Sequence, residues 1–241
     1  MKNLIKKILE RIMNRRIKPI NIYEEKLEPI KEIWLKNKNI QTIFDIGAHN
    51  GGYATRARKI FPKARIYSFE ALQDEYKNLI NRFEGDDLFS GHNIALSNYN
   101  GETPFYKSDY TGSSSILEMS DLHKSAYPYT ANNKEIKIRC CTLDDYIIEN
   151  KILVEDNILL KIDVQGAEMM VLEGASDLLD RTSVILSEVS FNTVYKSNVL
   201  FNDISEFLKK RRFKIEGIKN VSQSLVDGTY LQADAYFTKI V

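Results

Sequence analysis

No apolar run in the chain approaches the ~20 residues needed to cross a bilayer, so the sequence offers no candidate membrane-spanning helix. Cysteine is nearly absent. Cys140 and Cys141 are the only two among 241 residues, and adjacent cysteines rarely satisfy disulfide geometry, which argues against a stapled secreted scaffold and for a reducing compartment. Charge of one sign is not in excess either: 34 Lys and Arg against 33 Asp and Glu leave a formal charge of +1, giving no general attraction to nucleic acid. Internal repeats and low-complexity blocks are missing. The opening "MKNLIKKILERIMNRRIKPI" has neither the uninterrupted apolar core nor the small-residue cleavage site of a signal peptide. A cytoplasmic location is therefore expected.

What is present suits a globular enzyme-sized domain, with 43% hydrophobic residues to fill a core. Charge is unevenly placed: Lys2, Lys6, Lys7, Arg11, Arg15, Arg16 and Lys18 face only Glu10 in the first eighteen residues. Leu4, Ile5, Ile8, Leu9, Ile12 and Met13 form an apolar stripe at helical spacing beside that basic face, and Pro19 ends the helix. The stripe is expected to pack on the domain or on a second subunit of a homo-oligomer. Peripheral contact with the acidic inner membrane face is the alternative. A second helix over about residues 22–36 carries Trp34. Residues 1–38 are thus assigned as a helical extension and 39–241 as the main domain.

From "TIFDI" at Thr42 the chain alternates strand and helix, the pattern of a parallel sheet covered on both faces. Further strands are read at "RIYSF" from Arg65, "LFSGHNIAL" from Leu88, "NILLKID" from Asn157 and "SVILSEV" from Ser183. Residues 97–141 interrupt the alternation. There "GETPFYKS" and "KEIKIRCC" look like an added hairpin around a Ser-, Thr- and Tyr-rich segment that is either mobile or a lid. After the basic amphipathic helix "NDISEFLKKRRF", "FKIEGI" and "ADAYFTKIV" stand too close together for a crossover helix and should pair antiparallel.

The loop after the first strand, "DIGAHNGG", has Gly47, Gly51 and Gly52, and His49 stands where a dinucleotide turn would need glycine. A ligand without a diphosphate does not require that close approach. Asp45 sets a carboxylate at the strand mouth, which suits an ammonium group and repels a diphosphate. Glu70 ends the second strand, where an acid can accept both hydrogen bonds from a ribose diol. On the third strand Asn93 is placed to reach an adenine edge and Ile94 to pack on its face. A ribose, an amine and no phosphate chain describe S-adenosylmethionine.

With "LLKIDVQGAEMMVLEGA", residues 159–175, the chain resembles the FkbM-type methyltransferases, a branch of the class I S-adenosylmethionine-dependent enzymes. The resemblance is carried in order by Asp45 to Ala48, Phe69-Glu70, Ala95 to Ser97, Ser114-Ser115, Thr142 to Asp144 and Lys161 to Glu168. It implies an α/β fold with a Rossmann-like sheet of seven mostly parallel strands, one antiparallel, flanked by helices and carrying an inserted hairpin or lid. It also implies cofactor contacts from Asp45, Gly47, Ala48, His49, Asn50, Gly51, Glu70, Ala71, Asn93, Ile94 and Asp163. Two departures stand out: His49 replaces the usual Asn, and Ala71 the common Pro.

Methyl transfer from a sulfonium needs alignment of the acceptor, exclusion of water and, for a hydroxyl, a nearby base. Asp163 and Glu188 end neighbouring strands at one edge and are the expected acid–base pair, with Lys161 two residues before Asp163 on the same face. Ser114, Ser115, His123 and Glu168 are the candidates for substrate contact, and no metal is expected. The expected activity is methylation of a small-molecule hydroxyl, foremost on a sugar of a surface polysaccharide or its nucleotide-linked precursor. The alternatives are a polyketide, peptide or lipid acceptor, or a scaffold that binds cofactor without catalysis.

Overall fold

A computed structural model describes residues 32–240. The basic N-terminal helix and most of the second expected helix lie outside the described residues. Residues 33–38 form a 3₁₀ helix, and from Lys38 onward the chain is one compact unit.

The strands are β1 (Thr42–Ile46), β2 (Arg65–Phe69), β3 (Phe89–His92), β4 (Ala95–Leu96), β5 (Gly101–Ser108), β6 (Asn133–Cys141), β7 (Ile158–Ile162), β8 (Thr182–Ser190), β9 (Phe213–Lys219) and β10 (Gln232–Lys239). Seven of them form one sheet in the order β3-β2-β1-β7-β8-β10-β9. Only β10 runs antiparallel to its neighbours, so the sheet is the one the resemblance implies. Every residue of β1 and β7 is buried. That is why these segments read as mostly apolar runs rather than alternating ones, with Asp45 and Lys161 the charged exceptions.

Helices α1 (Gly52–Ile60) and α2 (Gln73–Arg82) follow β1 and β2. Helix α3 (Asp121–Ala126) lies in the insertion, α4 (Leu143–Glu149) follows β6, α5 (Glu168–Glu173) and α6 (Ser176–Arg181) follow β7, and α7 (Phe201–Lys210) follows β8. Strand order reverses between β1 and β7, so a crevice opens at their carboxyl ends.

The run read as one third strand is two. After β3 the Asn93 side-chain amide donates to the Glu70 and Ala71 carbonyls at 2.8 and 3.1 Å, which turns the chain away from the sheet edge. β4 then pairs with β6, and β5 closes the same small sheet as an antiparallel hairpin partner of β6. The segment between β5 and β6 is more ordered than its composition suggests. Ser120 caps α3 by accepting from the His123 amide, and Met119, Ala126, Val194, Tyr195 and Leu231 make a satellite core beneath it.

The Thr-Leu-Asp motif serves as local scaffolding. Thr142 caps α4 by accepting from the Asp145 amide, Leu143 is fully buried, and the Asp144 carboxylate accepts from the Asp177 and Leu178 amides at the start of α6. Gly174, at the end of α5, faces the backbone of β4's exit: a Cβ there would stand 2.0 Å from the Ser97 carbonyl oxygen. Backbone on both sides leaves no soft atom to yield. Gly174→Ala should therefore lower unfolding free energy by about 1–3 kcal/mol in a urea titration, and no loss would show that the β4 exit gives way freely.

Candidate functional site

At the crevice, the loop after β1 is held down by a buried cation. Lys161 on β7 stands opposite Asp45 on β1 in the parallel register, and its ammonium lies 3.0 Å from the Asp45 carboxylate. It also donates to the Ile46 and Gly47 carbonyls at 3.2 and 2.7 Å and lies 3.8 Å from Asp163. Burial alone would depress its proton affinity. The charges of Asp45 and Asp163, with the Asp45 hydrogen bond, outweigh it and hold Lys161 above its ordinary value. Gly47, at φ +71°, lets the loop cross β7 so closely that a Cβ would stand 1.9 Å from the Asp163 carbonyl oxygen.

This corrects the expectation for Asp45. It is fully buried and lines neither cleft; the ammonium it faces belongs to Lys161, because the two strands place them in register. Lys161 is correspondingly a clamp on the loop.

Glu70 behaves as a second clamp at the end of β2. One carboxylate oxygen accepts from the His49 amide and the other from the Leu72 amide, each at 2.8 Å. Burial raises its proton affinity against those two bonds. His49 has φ +48°, a left-handed conformation in which His, like Asn, is among the commoner non-glycine residues. Its Nε2 bonds Thr111 Oγ1 at 2.8 Å, while the Thr111 hydroxyl donates to Glu75 at 2.7 Å. His49 thus ties the loop to the insertion and to α2.

Two clefts open here. The first is walled by Phe69, Ile94, Leu96, Phe105 and Ile116, with Glu70 at its polar end. The second is polar, lined by Asn50, Tyr53, Arg56, Glu188, Lys219 and Asp234. Gly47, His49 and Asp163 belong to both.

Asp163 and Glu188 are brought together as expected. The Gln165 amide donates to Asp163 Oδ1 at 2.8 Å and to Glu188 Oε2 at 3.1 Å, and Gln232 donates to the same Glu188 oxygen at 2.6 Å. Burial first, then the charges of Asp163, Glu168 and Asp234, push the Glu188 carboxyl well above its ordinary range.

Other expected residues sit elsewhere. His123 is buried in the insertion, its Nε2 3.0 Å from Thr130 Oγ1 and its ring against Tyr195; it lines neither cleft, because the aromatic packing of the insertion encloses it. Asn93 has its amide committed to the β2-end carbonyls, although Ile94 and Ala71 do line the first cleft. Ser114 lines that cleft, whereas the buried Ser115 hydroxyl donates to the Val164 carbonyl. Glu168 is buried and accepts from the Val164 and Gly166 amides, pinning the turn after β7. Ala48 and Asn50 line the second cleft, while Gly51 packs against Leu79 and Phe83. Among the described residues no group of three His, Cys, Asp or Glu side chains is arranged to hold a metal.

Phe105, Ile116, Gln165 and Tyr195 are contributors that sequence reasoning passed over. Gln165 alone carried a signal, lying inside the "KIDVQGAE" run.

A family model described as the methyltransferase FkbM domain matches residues 45–215. The chain is 27% identical over 180 residues to the 2-O-methyltransferase NoeI of Sinorhizobium fredii (strain NBRC 101917 / NGR234), a match covering 72% of this chain and 73% of that protein. Among solved structures it is similar to an rRNA methylase from Streptococcus thermophilus, at 11% identity and TM-score 0.46, covering 88% of this chain and 95% of that one. It is also similar to magnesium protoporphyrin IX methyltransferase from Synechocystis PCC 6803, at 8% identity and TM-score 0.46, covering 90% and 80%.

Two stability measurements check this geometry. Lys161→Met leaves Asp45 buried without its cation and should cost about 3–5 kcal/mol; adding Asp45→Asn should return part of the loss, and no recovery would mean that the pair is not the source. Burial, with the charge of Asp163, raises Glu168 from 4.5 to about 7. A carboxyl raised on folding stabilises fully below its unfolded value and loses that contribution as pH climbs through its folded value. Glu168→Gln should therefore gain on the parent between about pH 5 and pH 8, by up to about 3 kcal/mol, and a pH-independent difference would show an ordinary carboxyl.

Proposed function

Because the chain belongs to the FkbM methyltransferase family and is an S-adenosylmethionine-dependent methyltransferase, we propose that it methylates a hydroxyl of a small-molecule acceptor, namely a sugar of a surface polysaccharide or its nucleotide-linked precursor. The observation that carries this reading is the meeting of the two clefts at Asp163, with an apolar-walled chamber ending in Glu70 on one side and a polar, carboxylate-bearing chamber on the other.

The donor set suits the cofactor. Apolar walls at Ile94, Leu96 and Phe105 fit an adenine face, and the Glu70 carboxylate, already fixed by two amides, keeps lone pairs for a ribose diol. Gly47 has its amide committed to the Phe69 carbonyl and its carbonyl to Lys161, so what it contributes is the close passage beside Asp163 that a Cβ would block. When bound, the sulfonium supplies an activated methyl group.

The chain's own residues do the rest. The insertion, tied down by the His49–Thr111–Glu75 contacts, supplies one wall of the first cleft through Phe105, Thr111, Ser114 and Ile116. Asn50, Tyr53, Arg56 and Asp234 offer donors and acceptors for a hydroxyl-rich acceptor in the second. Asp163 and Glu188, which line that cleft, are the residues we assign to accept the hydroxyl proton. The raised proton affinity of Glu188, caused by burial and the neighbouring acids, makes its ionised form the stronger base of the two. The sugar assignment draws on the polar second cleft and on the likeness to a 2-O-methyltransferase.

S-adenosylmethionine or its demethylated product should raise the melting temperature, by the equivalent of about 2.7 kcal/mol at a hundredfold excess over Kd, and NAD should not. No shift at millimolar ligand would overturn the cofactor assignment. On a panel of methyl glycosides and nucleotide sugars followed by mass spectrometry, Glu188→Gln should bind cofactor with near-parental affinity and lose turnover about 10²-fold or more. Parental turnover in that variant would exclude Glu188 as the base.

A further inference from the structure

Among the described residues, the turn between β7 and α5 holds the only side chain that bonds both candidate carboxylates. Gln165 sits there at φ +58°. Its amide has three bonding directions in use: two toward Asp163 and Glu188 through Nε2, and one at Oε1, which lies 2.9 Å from the Tyr195 hydroxyl. The orientation follows from chemistry. Turned over, the amide oxygen would face two carboxylates and the NH₂ group would lose both acceptors.

Tyr195 is fully buried, and its ring packs on Gly166, where a Cβ would stand 2.9 Å away. Its single phenolic proton has two acceptors, Gln165 Oε1 and the Ser113 carbonyl at 3.1 Å. Ser113 ends the first 3₁₀ turn of the insertion. A continuous polar chain thus runs from the insertion through Tyr195 and Gln165 to both carboxylates.

We propose that Gln165 is a positioning residue for the acid–base pair: its amide, aimed by Tyr195, holds Asp163 and Glu188 in one geometry and sets how readily Glu188 takes a proton. The proposal deepens the methyl-transfer reading and rests on the assignment of that pair. Its physical basis is short. Both hydrogens of an amide that donates to carboxylates favour their charged forms, and in a buried site those bonds are strong.

Several charges bear on Glu188 together with the amide. Lys161 reaches it from β7, Asp163 from the turn that follows, Glu168 from α5 and Asp234 from β10, while Lys219 at the end of β9 lines the same cleft. The acids oppose ionisation of Glu188 and Lys161 favours it. Among the uncharged groups Gln165 and Gln232 converge on the same carboxylate oxygen. Removing one of the two donors therefore has a definite sign: Glu188 becomes harder to ionise.

The test is the carboxyl resonance of Glu188 in the full chain labelled with ¹³C-glutamate, assigned by its disappearance in Glu188→Gln and followed against pH. Gln165→Met, of similar size and without donors, should move the Glu188 midpoint upward by about one pH unit or more. Tyr195→Phe should move it the same way by less, since the amide remains but is no longer aimed. An unmoved midpoint in a folded Gln165→Met protein, accompanied only by a lower melting temperature, would reduce Gln165 to a packing role and overturn the proposal. Should Gln165→Met fail to fold, an unmoved midpoint in Tyr195→Phe overturns it equally. The readout needs neither cofactor nor acceptor, so a failed methyl-transfer assay and a failed titration remain distinguishable.

Discussion

The site depends on one contact, the passage of the loop after β1 across the end of β7. Gly47 makes it sterically possible, and the Lys161 ammonium makes it stable by bonding the two carbonyls of that loop while neutralising Asp45 beneath it. A buried ion pair of this kind is costly to assemble and costly to break from one side. Its value lies in specification: with the loop in any other place, a charge would be left in the core. The parallel register of β1 and β7 sets the pair opposite one another, and the two clefts form on either side of the crossing.

Around that crossing the chain uses carboxylates as backbone anchors more than as ligands. Glu70 fixes His49 and Leu72, Glu168 fixes the turn after β7, and Asp144 starts α6. Each satisfies amides that turns and helix starts leave without partners. Several motif residues of the family thus have a visible structural reason, and the acids left facing the clefts are Asp163 at the junction, Glu188 and Asp234 in the second cleft and Glu70 in the first.

The limits of sequence reading follow from the same physics. β1 and β2 were legible to the residue because a buried parallel strand is a largely apolar run with an abrupt end, at Gly47 after β1 and at Glu70 after β2. The break at Asn93 was hidden, since it arises from a side-chain amide bonding carbonyls more than twenty residues away. Asp45 was placed at the right strand end and given the wrong partner, because only strand register reveals Lys161. His123 was misplaced because an irregular, hydroxyl-rich segment conceals its own small core. Tyr195, in a stretch without periodicity, gave no sign of its reach to Gln165. Local pattern exposes elements and their ends, whereas long-range hydrogen bonds decide which side chains face a cleft.

The position of β10 has a consequence for how the molecule comes into being. It follows β9 in the chain yet fits between β9 and β8, and it delivers Gln232 and Asp234 beside Glu188. During synthesis β8 must therefore wait with an open edge while α7 and β9 emerge, an interval in which unpaired strands invite wrong partners. The same late insertion couples folding to the shape of the second cleft. A molecule in which β10 has not docked lacks the Gln232 donor on the Glu188 carboxylate and the Asp234 wall beside it, so an incompletely folded chain also has an incomplete cleft.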